Sequence, residues 1–205
     1  MITSVIDICN MALDYCNVRN ITSLEEDTKQ SKICARWYDT VRKSLLLNMN
    51  ASFSIKRAVL PEVANYEPVY GYDKAFSLPS DCLQVLNLDS PLSDRYYQIE
   101  GNYLFCNQRC EDEKIKIRYI ADIQDVTKFD SEFCDCLALK LAEKICLPLT
   151  EDEQKTNMLK QYAQQKYGET STKYGRDNRM IVINEPRFRH SKVFSHIRDF
   201  NYPAK

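Results

Sequence analysis

Cysteine is the residue type that could do the most chemistry in this chain, and it occurs nine times. The nine positions are 9, 16, 34, 82, 106, 110, 134, 136 and 146. Cys106 and Cys110 are separated by three residues, whereas zinc knuckles commonly use two. Cys134 and Cys136 lie two residues apart on a predicted helix, so their thiols point about 200° apart around its axis. An odd number of cysteines without framework spacing predicts reduced thiols in a cytosolic environment, many of them core residues, and no metal or other cofactor.

The other residue types that serve catalysis are scarce or poorly placed. Both histidines, His190 and His196, lie near the C-terminus, which disfavours a cysteine–histidine dyad. Acidic runs at 25–27, 111–113 and 151–153 fall in predicted loops or first helical turns, where solvation and the helix dipole explain them. We therefore predict a protein without enzymatic activity. A glycan hydrolase that uses carboxylates of the strand-rich region remains an alternative.

Composition indicates a soluble globular protein of ordinary size. The chain has 205 residues, of which 44% are apolar and 28% charged, and its net charge is −1. A charge this close to zero gives no global field that would attract nucleic acid. No apolar stretch approaches the roughly 18 residues of a membrane span. Asp7 and Asp14, without a basic segment before them, argue against a signal peptide.

Apolar periodicity predicts two helices near the N-terminus. The first covers 4–17, with Thr3 or Ser4 as the N-cap. The second runs from about Thr28 to Leu47. Its apolar stripe consists of Ile33, Cys34, Trp37, Tyr38, Val41 and Leu45, and lysines and arginines occupy its outer face.

Between about 50 and 122 the pattern changes to strands. Runs at 58–60, 69–79 and 82–88 are aromatic or alternating, and the first two end at prolines. Residues 96–106 read as a hairpin with Glu100, Gly101 and Asn102 at its turn. The run 114–121 completes the set, since its isoleucines and Tyr119 alternate strictly with basic residues.

Helical signals return after residue 122. Asp130 is placed to cap a helix through 133–146 that Pro148 should end. Thr150 and Glu153 form a predicted capping box for a last helix, which reaches Tyr167 or beyond. The predicted class is therefore α+β: a four-helix bundle of two N-terminal and two C-terminal helices, an inserted antiparallel β domain and an extended C-terminal arm. The divisions are 1–49, 50–122, 123–175 and 176–205.

The C-terminal arm, residues 176–205, differs from the rest of the chain in composition. Seven Lys and Arg against three Asp and Glu give it a charge of +4, which leaves −5 for residues 1–175. Basic and aromatic residues alternate in it without a helical stripe, as is typical of a segment that orders on a partner. The candidate residues for contact with such a partner are Arg179, Arg187, Phe188, Arg189, Lys192, Phe194, Arg198, Phe200 and Tyr202. A protein partner is favoured, and a nucleic-acid-binding module acting through this arm remains an alternative.

Five segments of the chain carry motifs that occur together in one known family. They are IDICNMALDYCNVRNITSLEED (6–27), ARWYDTVRKSLLLNMNASFSIKRAVL (35–60), YGYDKAFSLPSDCLQVLNL (70–88), YQIEGNYLFCN (97–107) and IRYIADIQDVTKFDSEFCDCLALKLAEKI (117–145). In this order they resemble the tail tubular protein A family, the head-to-tail adaptors of short-tailed bacteriophages. In the second segment, for example, Tyr38, Arg42, Leu45 and Leu46 match the family pattern Y-x-x-x-R-x-x-L-L. The richness in Cys, Asn and Tyr suggests a distant relative, as in a crAss-like phage.

The resemblance implies a structural virion protein that is assembled in the host cytoplasm. Members form a ring, usually of twelve copies, between the portal protein and the next component of the tail tube or nozzle. The helices contact the portal, and genomic DNA passes through the ring without sequence-specific binding and without a membrane contact. An acidic body would suit such a channel, because it repels DNA and lets it slide. A ring also requires a heterologous interface that closes on itself.

The chain departs from the family pattern at three places. Asn50-Ala51-Ser52-Phe53 stands where the family has a tryptophan near position 52. Cys134-Asp135-Cys136 stands where alanines are usual. These two are substitutions at packing positions, whereas the C-terminal arm has no counterpart in the pattern. Its role therefore rests on its composition alone.

Overall fold

The structure, a computed structural model, describes residues 4–64, 70–89, 97–107 and 115–183. Within these ranges the fold is α+β, with four α-helices and two three-stranded antiparallel sheets. The elements in chain order are α1 (Val5–Cys16), α2 (Lys29–Met49), β1 (Ile55–Leu60), β2 (Lys74–Ser77), β3 (Cys82–Asp89), β4 (Tyr97–Glu100), β5 (Tyr103–Cys106), β6 (Ile115–Ala121), α3 (Ser131–Thr150) and α4 (Glu153–Ile183). None of the helices in these ranges is both long enough and apolar enough to cross a bilayer.

The two N-terminal helices begin and end where their polar residues indicate. Ser4 Oγ accepts the backbone N–H of Asp7 at 3.1 Å, and Asp7 accepts the N–H of Ser4 at 2.9 Å, which completes a capping box. Thr28 caps α2 by accepting the N–H of Ser31 at 3.2 Å. Each helix ends at an asparagine in the left-handed conformation, Asn17 with φ 54° and Asn50 with φ 50°. Both predicted helices are confirmed, and Ser4 is the N-cap of the first.

The junction between α3 and α4 differs from the prediction. Pro148 does not end α3, which continues to Thr150. The proline lies in the last turn and is exposed, so the carbonyl of Lys144, which loses its intrahelical partner, can bond to water. Thr150 does not cap α4 either. Asp152 does so, because its carboxylate accepts the N–H of Lys155 at 2.9 Å.

Helix α3 is the centre of the helical layer and packs against α1, α2 and α4. Ten of its residues are buried, on several sides of the helix. Cys134 and Cys136, which point to different sides, are 2% and 0% exposed. Phe53, which follows α2, lies 5.1 Å from Phe133 at the start of α3, measured between ring centroids. Helices α2 and α3 are therefore antiparallel.

The six strands form two sheets, and the chain passes between these sheets more than once. In the first sheet β6 lies between β1 and β3, and in the second β5 lies between β2 and β4. Beyond β1 the chain passes to the second sheet, where the N–H of Val63 donates to Ala75 O at 2.9 Å and the N–H of Ser77 donates to Pro61 O at 3.1 Å. The predicted hairpin is confirmed, since Glu100 pairs with Tyr103 and Gly101 turns with φ 56°. The predicted strand at 69–79 is limited to 74–77, and residue 69 lies outside the described ranges.

Helix α4 extends farther than its sequence indicates. It ends at Ile183, so residues 176–183, which we assigned to the C-terminal arm, continue the helix. Asn178 holds the C-terminal part of α4 against the end of α2, because its Nδ2 donates a hydrogen bond to the carbonyl of Asn50 at 3.0 Å. Arg118 of β6 also lies there, with Nη2 3.5 Å from Asn178 Oδ1. The extension therefore packs against the end of α2 and the first sheet.

A candidate partner-binding groove

The residues that the sequence nominated for partner binding fall almost wholly outside the described ranges. Arg179 lies in the last turns of α4. The other eight belong to residues 184–205, which the structure does not describe: Arg187, Phe188, Arg189, Lys192, Phe194, Arg198, Phe200 and Tyr202. Their part in binding a partner stays a prediction.

The thiols lie in the protein core rather than in a site. Eight of the nine cysteines fall in the described ranges, and seven of these are buried. Burial raises the pKa of Cys134 and of Cys136 to about 11. Contact with Cys34, together with burial, raises the pKa of Cys9 far above its usual range. The described residues contain no group of three or more His, Cys, Asp and Glu placed to hold a metal ion.

Two of the three acidic runs have local structural roles. Glu26 Oε1 accepts the backbone N–H groups of Thr22 at 2.6 Å and of Ser23 at 2.9 Å. Hydrogen bonds from Thr22 and Ser23 lower the pKa of Glu26. Asp152 is the cap of α4. The third run, 111–113, lies outside the described residues.

The most enclosed charge in the described structure is Arg42 of α2, whose side chain is 1% exposed. Its guanidinium donates to Asp122 at 2.5 Å, to the carbonyl of Ile123 at 2.6 Å and to Asp39 at 3.2 Å. These bonds join α2 to the end of β6.

A groove of about 300 Å³ lies between α2 and α4, with α3 as its floor. Helix α2 contributes Trp37, Thr40 and Val41 among others, and α4 contributes Gln164 and Tyr167. We call it the α2–α4 groove. Trp37, the only tryptophan of the chain, is half-buried although its neighbours in the predicted stripe are buried. The groove thus has an aromatic residue on each wall.

The floor of the α2–α4 groove carries an ion pair with little exposure. Lys140 donates to Glu143 at 3.0 Å, and their side chains are 20% and 14% exposed. Lys144 approaches the same carboxylate at 3.8 Å. The Lys140 ammonium also lies 5.7 Å from the ring centroid of Tyr167, which fixes that ring by a cation–π contact.

This arrangement suits the binding of a protein side chain. Tryptophan and tyrosine walls supply contact area at low entropic cost, and tryptophan and tyrosine are common at energetically important interface positions. The floor adds two ammonium groups and one carboxylate, which can orient a polar partner. Among the described residues, no cysteine or histidine lines the groove.

Sequence reasoning did not find this groove. It assigned Trp37 to the apolar stripe of α2 and described the segment 133–146 only as a helix. The available signal was Lys140, Glu143 and Lys144, three charged residues within the mostly apolar run 137–146. Trp37 and Tyr167 are 130 residues apart, and no local pattern connects them.

Comparison of the sequence with known protein-family models and with curated proteins finds no match.

Proposed function

We propose that this protein is a structural adaptor of a short-tailed phage, which joins the portal to the tail and has no catalytic activity. The proposal rests on the five family-like segments, which follow one another in the order of the adaptor family. Several of their characteristic residues are buried or connect elements of the fold. In the second segment Tyr38, Arg42, Leu45 and Leu46 are all buried.

The third and fourth segments support the proposal in the same way. Asp81, the aspartate of the L-P-x-D-C-L pattern, accepts hydrogen bonds from the Lys56 ammonium at 2.7 Å and from the Tyr119 hydroxyl at 3.0 Å. These bonds join β1 and β6 to the start of β3. Gly101, the glycine of the hairpin pattern, has a positive φ that favours glycine. Motif residues that hold the framework together are what distant members of a structural family would share.

In this proposal the four helices form a bundle that meets the portal, and the two sheets form an inserted domain that meets the next tail component. Twelve copies surround the DNA channel in the virion. The C-terminal arm reaches the portal or a neighbouring copy, where folding on binding turns a small contact into a durable one.

The test is reconstitution of the purified chain with the portal protein of the same phage. We expect rings on the portal in negative-stain electron micrographs and a matching increase in mass by light scattering. A chain that leaves the portal uncoated at all mixing ratios, although it is folded by circular dichroism, contradicts the proposal.

A further inference from the structure

The exposed face of the first sheet places like charges opposite each other. In register, Arg57 of β1 pairs with Arg118 of β6, which pairs on its other side with Asn87 of β3. We call these three residues the arginine row. Residues directly opposite on antiparallel strands have Cβ atoms about 5 Å apart, and like charges in that position destabilise a sheet. The row contains two cations and no carboxylate to offset them.

The carboxylates at neighbouring positions of the sheet belong to other pairs. Asp89 is opposite Lys116 in register, two residues before Arg118 on β6. Lys56 and Asp81 form an ion pair at 2.7 Å. Lys56 lies on the other face of the sheet, since neighbouring residues of a strand alternate between the faces. These charges are balanced within their own pairs, so the repulsion inside the arginine row remains.

Arg118 is held in place without a counter-ion in the described structure. Its Nη2 lies 3.5 Å from Asn178 Oδ1 on α4, which is long for a hydrogen bond. Its Nε is buried and has no hydrogen-bond partner among the described residues. Arg118 forms no ion pair with a described residue either, although Asp177 is adjacent to Asn178 on the same helix. A guanidinium has five N–H donors, and leaving them without acceptors in a half-buried position lowers stability.

Protection of a sheet edge does not account for the arginine row. Basic residues on edge strands stop strands of other molecules from pairing, and β1 is an edge strand, so that role explains Arg57. Arg118 lies on β6, the central strand, where there is no edge to protect. A central-strand arginine that lacks a counter-ion and is opposite a second arginine is instead the arrangement expected of a site for an anionic ligand.

The surroundings of the arginine row favour a carboxylate of a protein over a phosphate of nucleic acid. Among the described strands β1 has a single neighbour, so the other side of its backbone can pair with an extended peptide. Val59, which shares a face with Arg57, is 53% exposed and offers an apolar contact. An acidic peptide can use the backbone, Val59 and the two cations together, whereas a phosphate group uses the cations alone.

We propose that the arginine row binds a carboxylate of an acidic, extended segment of a partner protein that lies along β1. The Nη groups of Arg118 and the guanidinium of Arg57 donate hydrogen bonds to the carboxylate oxygens, and the bound charge offsets the repulsion between the two arginines. The site goes beyond the proposed function, because it depends on the first sheet alone and on no contact with the portal.

The first experiment titrates the full chain into a short fluorescein-labelled peptide of alternating glutamate and threonine, followed by fluorescence anisotropy at about 0.05 M salt. We expect saturable binding that Arg118→Gln weakens about 10-fold or more. Arg36→Gln is the matched control, because it removes the same charge from an exposed position of α2 and should bind as the wild type does. The same peptide with glutamine in place of glutamate should not bind. Binding that is absent in the wild type, or that Arg118→Gln leaves unchanged, overturns the proposal.

Thermal unfolding without peptide separates binding from a structural role. Arg118→Gln removes the like-charge pair and the buried N–H without an acceptor, so its melting temperature should equal that of the wild type or exceed it by a few degrees. A melting temperature several degrees lower would mean that Arg118 stabilises the fold itself, and would overturn the proposal. Arg118→Lys keeps the charge but loses the planar set of donors, so it should recover only part of the lost affinity.

Duplex DNA and inorganic phosphate are the competing anions. We expect the unlabelled glutamate peptide to displace the labelled one at a lower concentration than either of them, counted per charged group. If DNA or phosphate displaces it at a lower concentration than the peptide does, the site takes phosphate and the proposal is wrong.

Failure of this inference and failure of the adaptor proposal give different results. If the portal acquires rings but the wild type does not bind the glutamate peptide, the adaptor function stands and the arginine row is not a carboxylate site. If the peptide binds through Arg118 but the portal is never coated, the site stands and the adaptor function is wrong.

Discussion

Arg42 shows how a buried charge can hold two parts of a fold together. The guanidinium is almost fully removed from water, and its hydrogen bonds to Asp122 and Ile123 satisfy it. A buried ion pair contributes little relative to apolar packing, but leaving one partner alone is strongly unfavourable. Burial alone would raise the pKa of Asp122, yet the hydrogen bond and charge of Arg42 outweigh burial and keep that pKa below its usual value.

Asp122→Asn should therefore destabilise the protein by roughly 3 kcal/mol at neutral pH, the lower end of the range for breaking a buried pair, because Asp39 still faces Arg42. A carboxylate with a lowered folded-state pKa contributes its stability above the unfolded pKa of about 3.9 and loses it as pH falls through the folded pKa. The difference between wild type and variant should thus be constant near pH 7 and shrink below about pH 4. Urea unfolding monitored by circular dichroism at several pH values measures it.

Asp39→Asn is the matched control for that experiment. It removes a carboxylate that contacts the same guanidinium but has a side chain 71% exposed, so the expected loss is about 0–1 kcal/mol. Equal losses of unfolding free energy for the two variants would mean that burial does not determine the strength of the Arg42–Asp122 ion pair.

The thiols lead to a second prediction for single residues. The seven buried cysteines should resist alkylation at pH 7, because burial excludes the reagent and, at Cys16, Cys134 and Cys136, raises the thiol pKa to about 11 or 12. Iodoacetamide followed by peptide mass mapping should find them unmodified until denaturant is added. Rapid native labelling of Cys134 or Cys136 would contradict the assignment of α3 to the core.

Among the elements, three of the four helix starts were predictable, whereas the cap of α4 was predicted at Thr150 and lies at Asp152, and helix ends were harder to predict. Ser4, Thr28 and Asp130 cap helices in the predicted places, because a side-chain oxygen that accepts a backbone N–H acts within three residues. The effect of Pro148 depended on its position in the last turn and on its exposure, which sequence does not give. The α2–α4 groove could not be predicted either, since tertiary packing brings its walls together.

The end of α4 yields a prediction about truncation. Deletion of 184–205 should leave the melting temperature within error of the wild type, because all the described helices and strands end at or before Ile183. Deletion of 176–205 also removes Asn178 and its bond to the Asn50 carbonyl, so it should cost about 1 kcal/mol or more. Thermal unfolding of both truncations measures the difference. Equal melting temperatures for the two would show that the extension of α4 adds no stability.

At the scale of the whole molecule, the charge distribution determines whether the protein attracts or repels DNA. The net charge of −1 combines −5 for residues 1–175 with +4 for the C-terminal arm. A channel protein should repel DNA, whereas a nucleic-acid-binding module should attract it through the arm.

We therefore expect the full chain to show no measurable affinity for duplex DNA at about 0.15 M salt, as followed by fluorescence anisotropy. Binding that falls steeply with added salt and disappears on deletion of 184–205 would contradict the adaptor proposal. It would favour a nucleic-acid-binding role for the arm. Binding that survives the deletion would point instead to the basic side chains of the first sheet, Arg57, Lys116 and Arg118.

The central position of α3 has a consequence for synthesis on the ribosome. Helices α1 and α2 are complete at Met49, but the helix that covers their apolar sides is complete only at Thr150, about 100 residues later. At a synthesis rate of about 5–20 residues per second, that interval is roughly 5–20 seconds. During this time the nascent chain exposes the apolar sides of two finished helices. Aggregation during translation, rather than instability of the finished protein, should therefore limit its yield, and slower expression at lower temperature with abundant chaperone should raise it.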